Sequence, residues 1–107
     1  MTMNHVSLLV LAAGLAVAFP AASQDLYTGG APTAESLGWR VGCQAYSFNR
    51  FTFFEAVDKT ASIGLKYIEA YPGQRLSKDK PEDVKFDEKM SPELQKEVLA
   101  YLASKGV

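Results

Sequence analysis

The strongest constraint in this chain is the order of its apolar segments between Trp39 and Val107. Residues 39 to 48 (WRVGCQAYSF) are rich in aromatic and small apolar side chains and contain no proline, which predicts a strand. Residues 52 to 63 then predict a helix. Thr52 stands at its N-cap with Glu55 three residues on, the pattern in which each side chain serves the other's free amide. Phe53, Phe54, Val57 and Ala61 recur on one face at helical spacing, and Gly64 follows where a C-terminal residue of positive φ is wanted. Residues 65 to 71 (LKYIEAY) predict a second strand, stopped by Pro72-Gly73. A second helix starts at Ser91 as N-cap, with Pro92 in its first position and Glu93 in its first turn. Its buried face is Leu94, Val98, Tyr101 and Leu102; Lys105-Gly106 ends it, and Val107 reads as the opening of a third strand.

Strand, helix, strand, helix at this spacing predicts an α/β fold with parallel strands and right-handed helical crossovers. Two such units can neither cover both faces of a parallel sheet nor close a barrel, and they leave both sheet edges open. The simplest expectation is the N-terminal part of a longer α/β protein. The alternative is a short two-unit protein that dimerises through its edges.

The N-terminus carries a different signal. Val6 to Ala18 form an apolar run of 13 residues, shorter than the roughly 20 residues a membrane-spanning helix needs. With Ala21 and Ser23 at −3 and −1 of a cut before Gln24, residues 1–23 read as a signal peptide, although the leading MTMNH has no Lys or Arg. The chain is thus expected to be exported, with no stable membrane span. Residues 24–38, with Gly29-Gly30 and Pro32, read as a flexible lead-in, and residues 39–107 as the folded part.

Composition enters mainly to exclude. Net charge is −1, so the basic excess typical of nucleic-acid binding is missing. Cys43 is the single cysteine and forms no internal disulfide; on a strand it reads as a small buried apolar group. The one histidine, His5, falls before the expected cleavage, so residues 24–107 hold no His-based triad and no His metal ligand. No glycine-rich phosphate loop, CxxC, GxSxG or HExxH pattern occurs.

In parallel α/β folds chemistry gathers at the C-terminal ends of the strands. Strand alternation puts Gln44, Tyr46 and Phe48 on one face of the first strand, and Val41, Cys43 and Ala45 on the other. In the second, Tyr67, Glu69 and Tyr71 share a face opposite Ile68 and Ala70. If the small apolar faces meet the helices, Gln44, Tyr46, Glu69 and Tyr71 point inward at the mouth as substrate-binding candidates. A buried carboxylate there needs a metal, an arginine or a substrate hydroxyl. The competing expectation is that Glu69 pairs with a structural Arg or Lys, Arg75 being the named candidate. Residues 72–90 carry ten charged side chains among nineteen. They read either as a solvated surface excursion or as a lid over the mouth.

The residues Val41, Gly42, Gln44, Tyr46 and Ser47, then Ile63-Gly64, then Ile68-Glu69, resemble the opening of the sugar phosphate isomerase/epimerase family, the xylose isomerase-like TIM barrels. The similarity covers residues 39–71 and, more loosely, the following helix. It implies a (β/α)8 TIM barrel of about 250 residues, of which this chain holds the first two βα units. It also implies a divalent metal (Mn, Mg, Zn or Co) held by Glu, Asp and His residues of later strands, and proton transfer beside a sugar carbonyl. Tyr46 and Glu69 match positions near the sugar pocket rather than metal ligands, so no catalytic or metal-binding residue is assigned here and the chain alone is expected to be inactive. Export favours an unphosphorylated sugar or keto-sugar as the small-molecule partner. The alternatives are a non-catalytic carbohydrate-binding barrel, or a lyase- or hydrolase-like activity on oxidised sugars.

Overall fold

The computed structural model describes residues 29–107; the expected signal peptide and the first residues of the lead-in lie outside them. The elements are α1 (Pro32–Ser36), β1 (Cys43–Gln44), α2 (Phe53–Ser62), β2 (Ile68–Glu69), β3 (Gln74–Arg75), β4 (Lys85–Phe86) and α3 (Pro92–Lys105). β1 and β2 pair in parallel, Cys43 opposite Ile68 and Gln44 opposite Glu69, with α2 as the crossover. The strand-helix-strand unit anticipated from the sequence is present, with ladders far shorter than the apolar segments that predict them.

Both long helices begin on the side chains expected to cap them, and each is followed by the glycine expected at its end. Thr52 Oγ1 accepts from the Glu55 amide at 3.3 Å, and Glu55 Oε2 accepts from the Thr52 amide at 2.9 Å, completing a reciprocal capping box. At α3, Ser91 Oγ accepts from the Leu94 amide, Pro92 occupies the first turn, and Gly106 closes the helix at φ +71°. The buried stripe of α2 is Phe53, Ala56, Val57 and Thr60. The anticipated Phe54 is half-buried and stacks on Tyr101 of α3, ring centroids 4.0 Å apart and ring planes nearly parallel. Tyr101 also donates its hydroxyl hydrogen to the Asp58 carboxylate at 2.9 Å, and Lys105 pairs with the same group at 2.8 Å. Burial pushes the Tyr101 hydroxyl pKa up, and its bond to Asp58 pushes it further. These contacts fix α3 against α2.

Three sequence-based expectations are corrected. First, residues 39–48 are not one strand: after Gln44 the chain turns into a 3-10 helix, Ala45–Phe48. The cause is local. Gln44 Oε1 accepts from the Tyr46 amide at 3.0 Å, so a side chain takes the donor that a continuing ladder would use. Second, residues 29–38 are not a featureless lead-in. They contain α1, and the Gly30 amide donates to the Ile63 carbonyl at 2.7 Å, which holds this segment on the end of α2. The approach requires glycine: a Cβ on Gly64, itself at φ +77°, would sit 2.5 Å from the Gly30 nitrogen.

Third, residues 72–90 are neither a bare excursion nor a free lid. β3 and β4 form an antiparallel ladder, Gln74 opposite Phe86 and Arg75 opposite Lys85. Leu76, between them in sequence, is fully buried, and its carbonyl accepts from the Phe54 amide at the start of α2. The core is therefore small and shared: Ala45, Phe53, Ala56, Val57, Leu76 and Val98, flanked by half-buried Ile68, Ala70, Phe86 and Leu102.

Candidate functional site

The C-terminal ends of β1 and β2 meet at one rim, followed by the turn Asn49–Phe51 and by the β3–β4 hairpin. All four sequence-predicted residues lie on this rim, in two linked pairs. Gln44 and Glu69 are register partners on adjacent parallel strands and border the same recess of about 290 Å³, together with Arg40, Gly42 and Tyr67. Tyr46 and Tyr71 meet edge to face, centroids 5.1 Å apart at 71°. The Gln44–Tyr46 hydrogen bond joins the two pairs.

The expected division of faces holds for some of these residues and not for others: Phe48 and Tyr71, expected beside Gln44 and Glu69, pack against the core, and Val41, expected on the apolar face, is exposed. Ile68, Ala70 and Ala45 pack toward the helices, while Gln44 and Glu69 take the opposite, exposed side of the sheet. Tyr46 reaches the rim through the 3-10 turn rather than by strand alternation, and it is 59% exposed. Tyr71 is half-buried; burial raises its hydroxyl pKa, with a further rise from neighbouring Tyr46. The two rings stand edge to face, so the rim presents aromatic surface from both tyrosines.

Glu69 has no ion-pair partner among the described residues. The expected structural alternative fails: Arg75 pairs with Glu82 at 3.5 Å and donates to the carbonyls of Ser77, Lys78 and Lys80. Arg75 therefore shapes the hairpin loop, and Glu69 stays available as an acceptor for ligand hydroxyls. The described residues contain no group of three Cys, His, Asp or Glu side chains close enough to hold a metal. Glu69 alone does not make a divalent-metal site, so these residues by themselves do not fit the metal that the resemblance implies.

The second half of the rim was not legible as such in the sequence. A cleft of about 320 Å³ lies between the Asn49–Phe51 turn, the start of α2, Tyr71 and the hairpin. Gln74 anchors it: its Nε2 donates to the carbonyls of Phe51 at 3.0 Å and Phe48 at 3.3 Å, tying the hairpin to the turn after β1. Glu55, beyond its capping role, pairs with Lys78 across this cleft. That contact, with the Thr52 amide, holds its carboxyl down at about 2. The one available signal was Gln74 itself, a polar residue directly after the Pro72-Gly73 turn, with a lone leucine two positions on.

On the helix-facing side, an apolar groove of about 630 Å³ runs beside β2, bordered by Ile68, Ala70, Phe86, Val98 and Leu102. No helix among the described residues is long and apolar enough to cross a membrane. No protein-family model matches the chain, and no curated protein matches it. The resemblance carried by Val41 to Glu69 rests on those residues themselves.

Proposed function

We propose that the chain forms the first two βα units of an exported sugar isomerase/epimerase-like barrel, and that its share of the work is to bind a sugar or keto-sugar at the rim of β1 and β2. The observation that carries this reading is the convergence of Gln44, Tyr46, Glu69 and Tyr71 on that rim. They combine two aromatic surfaces, an amide and an unpaired carboxylate, the mixture that polyhydroxylated rings call for: apolar C–H faces on tyrosines, and hydroxyls donating to fixed oxygens. The apolar groove beside β2 supports the barrel part of the reading, since a further parallel strand with its crossover would cover it.

Proton transfer beside a carbonyl needs an acid, a base and a polarising group. Of these the rim supplies one unpaired carboxylate, Glu69, so the chain is proposed to bind without turning over. The test is calorimetric titration of the 107-residue chain with fructose, xylulose and glucose. Binding in the millimolar range is expected, weakened at least fivefold by Glu69→Gln. Unchanged affinity in Glu69→Gln and in Tyr71→Leu removes the rim from the binding site.

A further inference from the structure

The cleft beside Tyr71 has a charge pattern that a neutral sugar does not explain. Four cations border it, Arg50, Arg75, Lys78 and Lys85, against one carboxylate, Glu55. Two are already neutralised: Lys78 pairs with Glu55, and Arg75 with Glu82 while three backbone carbonyls hold its remaining N–H groups. Arg50, from the turn after β1, and Lys85, from β4, have no anionic partner among the described residues. Two uncompensated cations lining one concavity concentrate positive potential there, at the same strand ends that form the sugar rim.

An independent observation comes from Gln74, which borders the same cleft and is only 3% exposed. Its Nε2 is committed to the Phe48 and Phe51 carbonyls, which fixes the way the amide faces. Its Oε1 is then left without a hydrogen-bond partner among the described residues. A buried acceptor with no donor is a costly arrangement, relieved by a hydroxyl brought from outside. The cleft thus asks for two things at once, a negative charge for Arg50 and Lys85 and an O–H donor for Gln74.

We infer that the ligand of this rim is a sugar acid, with its carboxylate held by Arg50 and Lys85, a hydroxyl donating to Gln74 Oε1, and its ring against Tyr71. Resting on the sugar-binding reading above, it narrows the ligand from sugars in general to hydroxylated carboxylates. Glucose satisfies the amide and leaves the cations bare; sulfate satisfies the cations and offers no donor.

The experiment titrates the 107-residue chain with glucuronate, glucose and sulfate at low ionic strength, alongside the R50Q/K85Q double variant. Both side chains lie at the cleft surface outside the core, and an unchanged circular dichroism spectrum verifies the variant's fold. Glucuronate is expected to bind at least tenfold more tightly than glucose, with an affinity that falls as KCl is added. In R50Q/K85Q that advantage disappears while glucose binding is unchanged. Equal affinity for glucuronate and glucose, or a glucuronate advantage that survives in R50Q/K85Q, overturns the inference and leaves the sugar-binding rim standing. Binding of sulfate alone, or of nothing, overturns both.

Discussion

Thr52 and Glu55 tie together local sequence and the cleft. Their reciprocal hydrogen bonds start α2, and Glu55 also faces Lys78 from the hairpin. Replacing Thr52 by Ala removes the acceptor for the Glu55 amide and is expected to lower stability by about 1 kcal/mol, measured as a loss in urea unfolding. The pH dependence has a definite sign. Glu55 titrates near 2 in the folded chain, against an ordinary value of 4.5, so its contribution is complete above about 4.5 and is lost as pH falls from there toward 2. Urea midpoints taken across that interval fall for the wild type, and fall less for Glu55→Gln. These residues were legible in the sequence because a capping box is written within four positions. Tyr46 was harder: its place depends on whether the Gln44 side chain or a neighbouring strand takes its amide, and periodicity does not encode that competition.

At the scale of elements, both long helices and the parallel β1–β2 pairing follow from the sequence, because caps and apolar spacing are short-range signals. The β3–β4 hairpin does not. Its strands are two residues each, separated by a charged loop, and its apolar anchors are Phe86 and Leu76, an isolated leucine whose burial depends on contacts with α2. The packing of α3 on α2 depends equally on a distant meeting, that of Tyr101 with Phe54 and Asp58. Tyr101→Phe keeps the stacked ring and deletes the hydroxyl, leaving Asp58 its ion pair with Lys105 at 2.8 Å. A loss of about 1 kcal/mol is expected in thermal or urea unfolding, and restoring neither ring nor hydroxyl, as in Tyr101→Ala, is expected to cost about 3 kcal/mol or more.

For the whole molecule, the described residues place polar and aromatic groups at the strand ends and leave an apolar groove on the opposite side of the sheet. In the proposed reading as βα units of a barrel, the first would carry function and the second would pack against neighbours. The half of the rim made by β1 and β2 was readable because strand ends are where such folds concentrate chemistry. The half made by Arg50, Gln74 and Lys85 was not, because it exists only once the hairpin folds back onto the turn after β1. The most direct test of the rim as the sugar site is a map of amide shifts in the isotope-labelled chain during titration with glucuronate and with fructose. The account predicts that the largest shifts cluster at residues 44–51 and 69–75. Shifts centred instead on the apolar groove, at Phe86, Val98 and Leu102, or no shifts at saturating sugar, would contradict it.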